Sequence, residues 1–452
     1  MTTKSEVFAT RRTQVIKKMQ AAGGGVAVLF SGREIMRNRD ADYPFRWDSY
    51  FYYLTGFTEP EAALVIESGQ PGTDGKSTLY CREKNPERET WDGFRWGPEA
   101  ACLEFGMNEA QPIGNLDESM PTAMANQTAI YYPLGSDPAT DQRVRGWLEA
   151  VRGQARSGIT VPGQATDLHA ILDEMRLIKD SAELSIMRKA AQISAGAHCR
   201  AMQTCQPGQF EYQVEAELLH EFRRHGSQFP AYGSIVASGA NACVLHYRAN
   251  NQKMRSGDLL LIDAGCELDS YASDITRTFP VNGTFTSAQQ ELYEIVLAAQ
   301  SAAVDKTRPG NTFNDPHLAA LRVLAQGMLD TGLLAGGLDE IIESGAYRRF
   351  YMHRTSHWLG MDVHDCGDYR DRSSPRQSAG TENTEPDWRP LVAGMVITIE
   401  PGIYVNAASD VPERYHDIGI RVEDDAVLTT SGCEIITDGV PKTTQDIQSL
   451  MA

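Results

Sequence analysis

The stretch LLLIDAGCELDSYASDITRTF, Leu259 to Phe279, constrains the fold more than any other in this chain. It opens like a buried strand, yet Asp263 stands where another aliphatic residue belongs. A second carboxylate, Asp274, follows among small and β-branched residues. The polar ELDS at 267–270 reads as a turn, so 259–266 and 271–279 are expected to pair as a hairpin. With the turn centred between Leu268 and Asp269, Asp263 and Asp274 face each other, Cβ atoms roughly 5 Å apart. Two ionised carboxylates that close in an apolar setting repel and are poorly solvated. Either they share a proton or a positive charge sits between them, and a divalent cation is the simplest such charge.

Further acids and imidazoles lie downstream. MVITIEPGIY puts Glu400 at the end of an apolar strand, before Pro401 and Gly402. In DIGIRVEDD, strand alternation places Ile420 and Val422 on one face, Arg421 and Glu423 on the other. HRTSHWLGMDVHD supplies His353, His357 and His364. One imidazole with four carboxylates is an oxygen-rich donor set, suited to manganese or another hard divalent ion, with zinc and cobalt as alternatives. Four carboxylates are neutralised by two divalent cations, and such a pair can activate water between them. Each piece has a plainer reading as well. A strand-end Asp is usually a turn or surface residue, HRTSH can be a satisfied polar network, and Glu423 with Asp425 can be a solvated strand face.

The rest of the chain bounds the class. With 452 residues, two domains are expected. The formal net charge of −18 argues against a basic nucleic-acid or anionic-membrane surface. No apolar run approaches the ~18 residues that span a bilayer. The charged start MTTKSEVFATRRTQVIKKMQ has no apolar signal core, so a cytoplasmic location is the default. Eight scattered cysteines form no CxxC pair and read as free thiols. VAVLF, SYFYYLTGF, AALVIE and TLYCRE read as strands in an α/β first part. Long helical periodicity begins at TDLHAILDEM, with Asp180 or Ser181 as a cap and Glu183 in the first turn. The boundary is placed there, giving domains 1–172 and 173–452. Two amphipathic helices, EYQVEAELLHEFRRHG and SAQQELYEIVLAAQSAAVDK, alternate with strands DLLLIDAG, MVITIE and GIRVEDDAVLTT.

Taken together, NACVLHY, LLLIDAGCELDSYASDITRTFPVNG, HRTSHWLGMDVHD, MVITIEPGIY and GIRVEDD resemble the pita-bread metallopeptidases of the creatinase/prolidase type, closest to the Xaa-Pro aminopeptidase (aminopeptidase P) branch. DADYPFRWDSYFYYLTGFTEPEAALV is similar to the first domain of the same family. The resemblance implies an α/β (α+β) protein with a creatinase-like N-terminal domain and a C-terminal pita-bread domain around a curved sheet. It implies two divalent ions, manganese first, held by Asp263, Asp274, His357, Glu400 and Glu423, with Asp274 and Glu423 bridging. A metal-bridging hydroxide would hydrolyse the N-terminal Xaa-Pro bond of peptides, with Glu400 as the proton acceptor. His246 and His364 would position substrate and stabilise developing charge, and His353 would line the proline side. Arg421 and Tyr404 would hold the ligands in place. The implied partners are peptides with proline second, and further copies of the chain in a homodimer or homotetramer.

Two departures from the family pattern stand out. Arg354 occupies a position where relatives often have a small residue, which points to a different access route. The polar 367–390 loop is long, as in prolidases, where a cation such as Arg372, Arg376 or Arg389 would read a free carboxylate; a solvated surface excursion is the alternative. Prolidase is therefore the competing enzyme, and a non-catalytic pita-bread binding module is the competing class.

Overall fold

A computed structural model describes residues 4–371 and 387–452. The chain divides into two compact units, Met1–Met175 and Arg176–Ala452. Arg372 and Arg376 lie outside the described residues.

The first unit is built on a six-stranded sheet. Its order runs Glu109–Pro112, Lys76–Cys81, Ala63–Glu67, Val26–Phe30, Ala129–Tyr132, Gln164–Asp167. Val26–Phe30 lies antiparallel to Ala63–Glu67 and parallel to Ala129–Tyr132. As a central strand it buries both faces, which its continuous apolar run anticipates. SYFYYLTGF is a helix, not the strand its aromatic content suggests. Ser49–Thr55 is capped by the Asp48 side chain, which accepts the Phe51 N–H, and ends on Gly56 at φ 68°. Cap chemistry outweighed β-propensity there.

The second unit gathers several short antiparallel sheets, wrapped by long helices. Ile235–Ser238, Leu259–Asp263 and Thr276–Pro280 form one sheet. Val396–Ile399, Asp424–Leu428 and Cys433–Ile435 form another, and Gly402–Val405 pairs with Ile418–Arg421. GIRVEDDAVLTT is thus two strands in two sheets, broken at Val422 and Glu423. An isolated bridge between Thr276 and Glu423 ties that break to the first sheet. Helix Ser181–Thr204 starts with a full capping box, Asp180 and Glu183 exchanging side-chain and backbone hydrogen bonds. Helices Ser287–Lys306 and Asp315–Asp330 approach so closely that a Cβ on Gly327 would lie 2.4 Å from Ile295 Cγ2.

The hairpin register differs from the sequence expectation. Leu268 pairs with Tyr271 and Glu267 with Ala272, so the turn is Asp269–Ser270. Both turn residues have positive φ, 47° and 71°, as a type I′ turn requires. In consequence Asp263 lies opposite Thr276, not Asp274. The slip is two residues, so it keeps every side chain on its face and leaves Asp263 and Asp274 as diagonal neighbours. At Gly265 the hairpin crosses itself backbone to backbone: an added Cβ would sit 1.7 Å from the Ser273 carbonyl oxygen.

Candidate active site

The acids singled out above all stand at strand ends or breaks. Asp263 closes Leu259–Asp263, Asp274 precedes Thr276–Pro280, Glu400 follows Val396–Ile399, and Glu423 lies between Ile418–Arg421 and Asp424–Leu428. These ends converge on a cavity of about 740 Å³. Asp263, Asp274, Glu400, Glu423, His246, His353, His357, His364 and Arg421 all line it. Tyr404 is fully buried behind that wall.

Ligand-type atoms of Asp274, His357 and Glu423 lie within 4.8 Å of one another. His357 Nε2 is 3.4 Å from Asp274 Oδ2 and 3.7 Å from Glu400 Oε1. Its other ring nitrogen, Nδ1, lies 2.9 Å from the Trp358 carbonyl oxygen. A neutral ring donating there leaves the Nε2 lone pair facing the carboxylates, the tautomer a metal ligand needs. The His357 ring stacks on His364, centroids 4.0 Å apart.

Electrostatics make the same point. Burial, and then the neighbouring acids, raise the pKa of Glu423 well above the carboxylate range. Burial also raises Asp274 and Glu400, against the opposing pull of His357. Burial alone would lower the His357 pKa, but Asp274 and Glu400 overcome it and raise it to about 9. Repelling carboxylates around one imidazole form a site that positive charge completes, and the donor set suits divalent ions.

The surrounding bonds fix the geometry. Arg421 Nη2 donates to Asp263 Oδ2 at 2.5 Å, Nη1 to the Tyr404 hydroxyl at 2.9 Å and Nε to Thr276 Oγ1 at 3.1 Å. Thr276 Oγ1 donates in turn to Glu423 Oε2 at 2.6 Å. His353 Nδ1 meets the Arg354 carbonyl at 2.8 Å, and Nε2 meets the Tyr404 hydroxyl at 2.8 Å. His353 Nδ1 is 3.7 Å from Glu400 Oε2.

Sequence reasoning missed four contributors. The Tyr232 hydroxyl donates to Asp263 Oδ1 at 2.6 Å and also contacts Asp274 Oδ1. Thr398 Oγ1 accepts the His357 N–H at 3.1 Å. Asp425 is fully buried, with Oδ2 accepting the Asp274 N–H at 3.1 Å. Neither Glu423 nor Asp425 is a solvated strand face. The fourth, Thr276, was legible: it shares the strand face of Asp274 two residues on. Tyr232 carries no sequence signal. Arg389 is not among the residues lining the cavity.

Comparison with known proteins gives the family of the chain. The family model for Metallopeptidase family M24 matches residues 185–430, and that for Aminopeptidase P, N-terminal domain, matches residues 8–131. The chain is 44% identical to Xaa-Pro aminopeptidase of Haemophilus influenzae, covering 99% of this chain and 97% of that protein. It superposes on Pseudomonas aeruginosa aminopeptidase PepP with TM-score 0.94 and 46% identity, over 100% of this chain and 99% of that one. Escherichia coli aminopeptidase P with the inhibitor Pro-Leu gives TM-score 0.93 at 40% identity, over 100% and 99%. Acids gathered from three sheets around one imidazole, on a chain matched end to end in this way, mark it as a member of metallopeptidase family M24 with an aminopeptidase P N-terminal domain.

Proposed function

We propose that this chain is an Xaa-Pro aminopeptidase, hydrolysing the first peptide bond of peptides whose second residue is proline. The observation that carries the reading is the convergence of Asp274, His357 and Glu423 within 4.8 Å in a cavity large enough for a peptide end. Asp263, Asp274, His357, Glu400 and Glu423 would hold two divalent ions, manganese by the hardness of the donor set. Bound there, the ions supply Lewis acidity, lowering the pKa of a water and polarising the scissile carbonyl.

The chain's own residues do the rest. A bond before proline has no amide N–H and a fixed ring geometry, so recognition falls to the ring and the free amine. Glu400 accepts the water proton and delivers it to the departing proline nitrogen, a task suited to a carboxylate whose pKa burial has raised. His246 and His364, both lining the cavity, donate hydrogen bonds to the developing oxyanion. His353 lines the proline side. Arg421 and Tyr404 hold Asp263 and His353 in register.

Replacing Glu400 by Gln should lower kcat by about 10²–10⁴ in metal-loaded protein; near-normal turnover would refute its role. Faster cleavage of Xaa-Pro dipeptides than of Xaa-Pro-Xaa tripeptides would assign a prolidase instead. No described helix is long and apolar enough to cross a membrane. A cytoplasmic setting suits eight free cysteines. Assembly into a homo-oligomer suits the exposed Trp91, Leu103 and Met36 of the first unit.

A further inference from the structure

The rings of His353 and His357 are fixed by hydrogen bonds, to the Tyr404 hydroxyl and to the Trp358 carbonyl oxygen. No hydrogen bond from the described residues reaches the His364 ring, which stacks on His357 with centroids 4.0 Å apart and planes 24° from parallel. A stack sets the spacing of two rings but not a single in-plane position. The place of His364 therefore depends on the backbone that carries it.

That backbone is anchored by the next residue. Asp365 Oδ2 accepts from Lys179 Nζ at 2.9 Å and Oδ1 from Arg176 Nη2 at 2.6 Å. All three side chains are 1% exposed. Burial would raise the Asp365 pKa, but Lys179 and Arg176 overcome it and hold it below the usual carboxylate range. Arg176 Nη2 also donates to Asp362 Oδ2 at 2.8 Å, on the other side of His364 in the chain. The loop is closed around these charges. The Asp365 N–H donates to the Trp358 carbonyl at 2.9 Å, and the Gly360 carbonyl accepts the Ala272 N–H at 2.8 Å, from the hairpin bearing Asp274. At Gly360 an added Cβ would lie 2.1 Å from Asp365 Oδ2 and 3.0 Å from Lys179 Cε, so the ion pair fills the space a side chain needs. The Lys179 N–H donates to the Gly394 carbonyl at 2.9 Å, just ahead of the strand that leads to Glu400. Burying charges is costly, and apolar side chains of equal volume often stabilise as well or better. What directional, charge-assisted bonds add is a fixed position.

We propose that Arg176, Lys179 and Asp365 are positioning residues for His364, holding its ring where it donates to the developing oxyanion. This rests on the peptidase reading, which gives His364 that donor role.

A double-mutant cycle on manganese-loaded protein, with Ala-Pro-Ala as substrate, tests this. H364A should lower kcat by about 10²–10³-fold, the usual cost of one oxyanion donor, with KM within about threefold of wild type. D365N should lower kcat by about tenfold or more at nearly constant KM, because a displaced donor fails in the transition state. In D365N/H364A that loss should disappear, leaving kcat within about threefold of H364A alone. In a Y404F background, which perturbs His353 instead, the D365N loss should persist in full. Manganese calorimetry counts the folded sites in each variant. It should show an affinity within about threefold of wild type, not the roughly 10–100-fold loss expected of a group that orients a metal ligand. K179M, which leaves Asp365 bonded to Arg176, carries the same cycle where D365N does not fold. An undiminished D365N loss in the H364A background, or a matching loss of manganese affinity, overturns the positioning role alone. Normal turnover by H364A overturns the donor role of His364 and this inference with it. Failure of wild type to cleave the peptide overturns the peptidase reading.

Discussion

Tyr404 touches no part of the cavity surface, yet its hydroxyl joins two of the groups that do. It takes a hydrogen bond from Arg421 and meets His353 Nε2, while the Arg354 carbonyl meets the opposite ring nitrogen. His353 is thereby held as one neutral tautomer, and burial, with Arg421 nearby, lowers its pKa to about 3. Replacing Tyr404 by Phe removes the shared oxygen and nothing else. We expect kcat/KM to drop by about 10–100-fold, the usual cost of losing a group that orients a metal ligand or catalytic residue. Steady-state kinetics with circular dichroism checks this; unchanged kinetics would show that Arg421 needs no such partner. Both Tyr404 and Arg421 came from motif resemblance, whereas Tyr232, which touches two of the acids, did not. A phenol outside any strand has no periodicity to betray it.

At the level of strands, a buried ion pair sets where Glu423 sits. Arg277 and Asp424 are both 0% exposed and pair at 2.7 Å. Arg277 Nη1 also donates to the Glu423 carbonyl at 2.6 Å and to the Thr276 carbonyl at 3.0 Å. Asp424 is satisfied further by Gln300, Thr437 and Lys442. One guanidinium thus fastens the strand break at Glu423 to the hairpin bearing Asp274. Replacing Arg277 by Met leaves Asp424 buried without it and should cost about 3–5 kcal/mol, with Glu423 displaced. Urea unfolding measures the first and manganese titration the second; loss below 1 kcal/mol would mean that Lys442 suffices. Strand identities were legible in the apolar runs, but their pairing was not. The hairpin slipped by two residues because two consecutive positive φ values at Asp269 and Ser270 decide the turn, and polar composition alone does not locate it. The helix at Ser49–Thr55 was missed for a related reason: Asp48 and Gly56 outweigh an aromatic run.

For the whole molecule, acidity acts through buried imidazoles as well as through the carboxylates. Burial, together with Arg354, lowers the His317 pKa to about 4. It is neutral in the fold and protonates in the unfolded chain below about 6.5. Its contribution is therefore complete above pH 6.5 and is lost as pH falls towards 4. The stability advantage of wild type over H317Q should shrink by on the order of 3 kcal/mol across that window. Urea unfolding of both proteins at pH 7, 5.5 and 4.5 reads the difference; a constant gap would place the proton elsewhere. At this scale the sequence was most informative. Two domains, the α/β class and the acids and imidazoles that line the cavity were expected, because apolar strands interrupted by acids are hard to explain otherwise. Packing detail, such as the guanidinium groups of Arg354 and Arg370 lying over the Trp388 ring, was hidden because it joins residues whose neighbours say nothing about them. The crossing at Gly265 has a wider implication. With the Ser273 oxygen occupying the space where any side chain would begin, that site accepts a single amino acid. Among functional members of this lineage it should read as a column with one letter, whatever the metal, substrate or habitat.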